Sequence, residues 1–138
     1  MTQTLNEILT EAIEDEYRAR ATYRRVLEKF GDVRPFSNIV EAEQRHIDAL
    51  LVLFDNHGLC VPEDNWPERI KIPEALLAAC QAGVAAEIDN AAMYDRLLAD
   101  SSDYPDVQSV LRNLQRASRE NHLPAFQRCV ERENSQQE

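Results

Sequence analysis

Apolar residues recur along this chain at alternating three- and four-residue steps, the spacing that gathers them on one face of an α-helix. The first stripe is Leu5, Ile8, Leu9, Ala12, Ala19, Tyr23, Val26, Leu27 and Phe30. It predicts a helix over about 5–30, stopped by Gly31 and Asp32. The second, from Phe36 through Ile39, Ile47 and Leu50 to Phe54, predicts a helix over about 36–56. Pro35 sits at its start, where a missing N–H costs little, and Gly58 closes it in a left-handed turn. A third stripe, from Leu76 to Leu98, predicts a helix over about 74–100. The fourth, from Val107 to Cys129, predicts one over about 106–133. Pro124 cannot donate to the carbonyl of Glu120, so the last helix should be irregular near His122. From Arg132 onward the sequence is polar and is expected to fray.

Residues 59–73 hold Pro62, Pro67, Pro73 and the single tryptophan, Trp66. Such a segment reads as a connection, and its 15 residues can run the length of a bundle. The second and third helices therefore need not be antiparallel neighbours. Trp66 is expected to pin the connection to the bundle. Two helical hairpins joined by a crossover make an all-α four-helix bundle. A chain of 138 residues supports one core, so a single domain is expected over 1–134, with a polar tail at 135–138.

Certain polar residues interrupt the apolar stripes. Glu16 lies between Ala12 and Ala19, seven residues before Tyr23. Seven steps of about 100° return to within roughly 20° of the same direction. Glu43 and His46, three residues apart, both fall between Val40 and Leu50. Glu87 repeats the first pattern, seven residues before Tyr94, and His122 shares a face with Leu114, Ser118 and Ala125. A buried carboxylate costs several kcal/mol unless it is paired, hydrogen-bonded or bound to metal. The two halves of the chain thus form a weak repeat, Glu16–Tyr23–His46 against Glu87–Tyr94–His122. Carboxylates with imidazoles suit iron, manganese or zinc. Tyr23 and Tyr94 would then donate hydrogen bonds to the glutamates from behind the ligands.

Charge and cysteine count narrow the partners. A net charge of −10 repels phosphate backbones and anionic membranes, so nucleic-acid binding is not expected. No apolar run approaches a membrane span, and the first residues lack the pattern of a secretory signal. Three cysteines without a C-x-x-C pair favour a reducing cytoplasm over a disulfide framework, with Cys80 and Cys129 as small buried apolar groups.

The stretches EDEYRARATY, FSNIVEAEQRHIDALLVLFDNHG and NLQRASRENHLPAF resemble the ferritin-like superfamily, including the rubrerythrin diiron domain. The likeness is greatest to a small prokaryotic branch of unassigned function. The carrying motif is a glutamate on helix one followed by E-x-x-H on helix two, here Glu16, Glu43 and His46. The resemblance implies a ferritin-like four-helix bundle, one or two bound iron ions, a homodimer, and oxidation of ferrous iron or reduction of peroxide. It also implies metal ligation by Glu16, Glu43, His46, Glu87 and His122. The family pattern asks for a second E-x-x-H on helix four, where this chain has Arg119, which cannot ligate a metal. Arg119 is then expected to turn inward, pair with Glu43 or Glu87 and occupy the second metal position. Counted from Gly31, Glu43 falls roughly 4–5 Å off level with Glu16, whereas His46 is level. No rubredoxin-like C-x-x-C module is present. A different class stays open: a metal-free ferritin-like module, held by an arginine–carboxylate network and acting through oligomerisation or a partner. A bundle that binds a substrate or other ligand has no sequence feature in its favour.

Overall fold

The structure, a computed structural model, describes residues 2–137; Glu138, the last residue of the expected tail, lies outside them. Helix α1 spans Leu5–Phe30, α2 Phe36–Asn56, α3 Leu76–Asp100 and α4 Pro105–Ala117. A π-helical stretch, Ser118–His122, leads directly into α5, Leu123–Gln137. No strand occurs among the described residues, and no helix is long and apolar enough to cross a membrane.

Local chemistry sets most of the ends. Thr4 caps α1: its hydroxyl accepts from the Glu7 N–H while the Glu7 carboxylate accepts from the Thr4 N–H. Gly31, at φ 88°, lets the chain leave α1 in a conformation that other residues avoid. Gly58, at φ 64°, does so after α2, where the Leu59 N–H closes back on the Phe54 carbonyl. The third helix starts two residues later than expected. The polar segment from Arg132, expected to fray, continues α5 as helix to Gln137.

The connection after α2 climbs the outside of α1. Tyr17 donates to the Pro62 carbonyl, Arg20 pairs with Asp64 at 2.9 Å, Arg25 donates to the Pro67 carbonyl and Lys29 to that of Pro73. Trp66 donates its indole N–H to Glu14 at 2.5 Å. The chain thereby returns to the end of the bundle where α2 began, so α3 runs parallel to α2 and antiparallel to α1.

Two apolar clusters stack along the bundle axis. One contains Ile8, Leu9, Ile13, Leu50, Phe54, Leu97 and Leu111; the other contains Tyr23, Val26, Phe36, Ile39, Ala79, Phe126 and Cys129. Phe126 packs onto Gly83, where a Cβ would come within 2.5 Å of its ring. Cys80 and Cys129, expected to be separate, are joined by a disulfide that ties α3 to α5. This removes the basis for inferring a reducing compartment from the cysteine count. Cys60 is free and exposed.

Candidate metal centre

Helices α1, α2 and α3 and the π segment carry buried polar residues at the level between the two apolar clusters. These are Glu16 on α1, Glu43 on α2, Glu87 on α3, and Ser118 and His122 in the π segment, each at most 5% exposed; His46 joins them from α2. The level is set by the first hairpin. Phe36, the first residue of α2, packs against Tyr23 at a ring separation of 5.7 Å. Tyr23 lies seven residues before the end of α1, so residues 31–35 run back along α1 before α2 begins. Seven residues down α2 is Glu43, and seven residues down α1 from Tyr23 is Glu16. Both intervals are about 10 Å of helix. The expected offset between Glu16 and Glu43 therefore does not exist, because Gly31 is not the turning point that the count assumed.

The acidic and imidazole groups form two triads that share one member. Glu16, Glu43 and His46 offer ligand atoms within 4.8 Å of one another, and so do Glu43, Glu87 and His122. His46 Nδ1 lies 3.4 Å from Glu16 and 3.8 Å from Glu43. His122 Nδ1 lies 3.3 Å from the other oxygen of Glu43 and 3.1 Å from Glu87. The imidazole rings stack at 5.6 Å and 20°. Ligands about 2.1 Å from a common ion stand up to about 4.2 Å apart, so a small contraction of either triad would close it on a metal.

Hydrogen bonds fix the outer oxygens. Tyr94 donates to Glu16 Oε1 at 2.7 Å and Tyr23 to Glu87 Oε2 at 2.9 Å. Burial first, and then the adjacent glutamate charge, push both phenols well above their ordinary range, so they remain donors. The Ser118 hydroxyl lies 3.0 Å from Glu87 Oε1 and 3.1 Å from its carbonyl oxygen. Glu16 Oε2 and His46 Nδ1 are buried with no hydrogen-bond partner. Two buried unsatisfied atoms facing each other in one triad are the kind of cost that a bound cation removes.

The surroundings push the two neighbouring carboxyls in opposite directions. Burial raises Glu43, and the Glu16 charge beside it raises it further, well above the carboxylate range. Burial acts on Glu16 in the same sense. The Glu43 carboxyl beside it, the His46 ring and the hydrogen bond from the Tyr94 phenol outweigh it and hold Glu16 down to about 2. Nearby, burial raises Asp15 against the opposing effects of Asn90 and Arg18.

Arg119 is not brought to the site. Its guanidinium pairs with Asp95 at 2.9 Å on the surface, where both side chains are more than half exposed. The reason is the π turn. The Leu123 N–H bonds to the Ser118 carbonyl five residues back, a wider loop than in an α-helix. Ser118, four before His122, keeps the inward face that ordinary spacing gives it, while Arg119, three before, swings outward. Sequence reasoning placed Ser118 on the apolar face but gave it no task. Pro124, which leaves the Glu120 carbonyl without its usual donor, was the signal that α-helical spacing could not be trusted there.

A family model described as "Uncharacterized protein domain (DUF2202)" matches residues 6–138, which include all five glutamate and histidine residues of the two triads. The chain belongs to the DUF2202 family. It is similar to the uncharacterized protein MJ0754 of Methanocaldococcus jannaschii. Identity is 30% over an alignment that covers 90% of this chain and 74% of that protein. The crystal structure of hypothetical protein MJ0754 superposes with a TM-score of 0.84 at 25% identity, covering 97% of this chain and 83% of the other. The DUF2202 chain and this relative thus share the helical architecture through nearly all of the present sequence.

Proposed function

We propose that this DUF2202 chain is a ferritin-like four-helix bundle whose polar layer holds a pair of transition-metal ions, iron first, with Glu43 between them. Manganese or zinc suits the same donors. The observation that carries the reading is the sharing of Glu43 by two buried carboxylate–histidine triads, one of which has unpartnered ligand atoms on Glu16 and His46. Glu16 and His46 would complete one position, and Glu87 and His122 the other. Bound there, iron would supply one-electron redox steps for the oxidation of ferrous iron or the reduction of peroxide. The protein's own part is to hold the carboxylates. Tyr94 and Tyr23 orient the outer oxygens, Ser118 holds the remaining oxygen of Glu87, and the apolar clusters keep bulk water from above and below. A cation there would oppose the upward push of burial on Glu43 and favour its ionised form.

The competing reading, a metal-free module held by an arginine–carboxylate network, needs an arginine in this layer. Among the described residues the arginines pair elsewhere: Arg20 with Asp64 beneath the connection, and Arg18 with Asp15, Arg96 with Glu11 and Arg119 with Asp95 nearer the surface, while Arg45 is exposed and makes no ion pair with a triad carboxylate. The deciding experiment is anaerobic loading with ferrous iron, followed by elemental analysis. Two atoms per chain are expected. None across iron, manganese and zinc would overturn the metal reading.

A further inference from the structure

Two divalent ions held by Glu16, Glu43 and Glu87 alone would leave one unit of positive charge in a buried layer. The fourth position of the ring carries Ser118, which is neutral, and Asp15 nearby is offset by Arg18. An uncompensated charge in such surroundings is strongly disfavoured, so the loaded centre requires one further anion.

Two concavities among the described residues touch this layer: one of about 40 Å³ on the α1–α3 side, which includes Tyr23 and Glu87, and a roomier one on the opposite side. A cleft of about 300 Å³ lies between α2 and the π segment with the start of α5; its lining includes Ala42, Arg45, His46, Asn121, His122 and Ala125. His46 is the most exposed of the five ligand residues, with 13% of its side chain reachable. Neither His46 Nε2 nor His122 Nε2 has a protein hydrogen-bond partner among the described residues, although a metal-bound imidazole normally donates from its second nitrogen. Arg45 and Asn121 lie exposed on the lining, and Arg45 forms no ion pair among the described residues.

From this we propose that the cleft admits a small exogenous anion, a carboxylate or oxyanion, that serves as the fourth negative group of the loaded centre. Arg45 draws the anion in, and the two imidazole N–H groups and Asn121 give it donors on the way. The cleft has ample room for an anion of a few heavy atoms. The inference rests on the two-metal reading above, and cobalt(II) tests the two separately. Protein loaded with cobalt in an uncoordinating sulfonate buffer is titrated with formate, acetate and inorganic phosphate, and the visible cobalt bands report the ligand set. A saturable spectral change is expected with at least one of these anions. Arg45→Gln should weaken it about tenfold, and Ala125→Phe, which fills the cleft, should abolish it, with cobalt stoichiometry unchanged in both. Two bound cobalt ions with no response to any of the three anions would overturn the inference and leave the metal reading standing. An unchanged response in both variants would overturn the route. Failure to bind two cobalt ions would overturn the metal reading itself. Arg45 is exposed and Ala125 only partly buried, and far-ultraviolet circular dichroism verifies that each variant folds.

Discussion

Tyr23 on α1 reaches across the bundle to hydrogen-bond Glu87 on α3, 64 residues away in sequence. Tyr94 on α3 returns the contact to Glu16 on α1. Each helix therefore presents one carboxylate to the centre and holds the carboxylate of the other. Replacing Tyr23 with Phe removes a buried donor and leaves a Glu87 oxygen unsatisfied. The expected outcome is a loss of about 1–3 kcal/mol in stability without metal and a 10- to 100-fold loss in metal affinity. Chemical denaturation and competition against a chelator measure the two. Tyr94→Phe should behave alike at Glu16.

The sharing of Glu43 predicts unequal consequences for the carboxylates. Glu43→Ala should eliminate both ions, because both triads lose a ligand. Glu16→Ala should remove one and retain the ion held by Glu43, Glu87 and His122. Elemental analysis of the two variants, loaded identically, checks this. Equal losses in both would mean that the triads fill only as a unit.

Glu43 also predicts a conflict between stability and function. Its carboxyl is raised in the folded chain, so the fold binds a proton that the unfolded chain releases. That contribution is fully present below the ordinary carboxylate pKa of about 4.5 and is lost as pH rises through the raised value. Glu16 has the opposite sign. Its stabilising contribution is present above about 4.5 and fades only as pH falls toward about 2. Glu43→Gln mimics the protonated form and should stabilise the metal-free protein at pH 8 by about 1 kcal/mol, a rise of several degrees in Tm. The gain should vanish near pH 4. Thermal scans with chelator across this range provide the check, and metal affinity of the native chain should increase with pH.

The Cys80–Cys129 disulfide closes a 49-residue separation between α3 and α5. Its reduction should lower stability by about 3–4 kcal/mol through the freed unfolded chain. Denaturation with and without a phosphine reductant measures it, and Cys80→Ser/Cys129→Ser should match the reduced protein. Cys60, exposed and unpaired, should react with a thiol reagent without loss of stability.

Much of this arrangement was legible in the sequence because buried polar groups break an apolar stripe visibly. Glu16, Glu43, Glu87 and His122 were marked by their places among alanines, leucines and valines, and the proline-rich connection announced the crossover. What escaped depended on geometry that a periodic count assumes. The level of Glu43 was misjudged because residues 31–35 run back along α1 instead of turning at Gly31. Arg119 was turned inward because the count used 3.6 residues per turn through a stretch that does not keep it. The pairing of Cys80 with Cys129 was invisible for a different reason. Spacing along the chain carries no information about which faces of α3 and α5 meet.

The π stretch has a further consequence for everything that follows it. A straight α-helix continued from α4 would advance about 100° per residue, so one residue absorbed in the wider turn resets the angular phase of the next 15. That phase aims Phe126 at the bare backbone of Gly83 and brings Cys129 beside Cys80. Ser118–His122 thus works as a keyed coupling between two helical rods. The same five residues that present an imidazole to the centre also clock α5 onto α3, so removing a single residue there would unlock the upper half of the bundle along with the site.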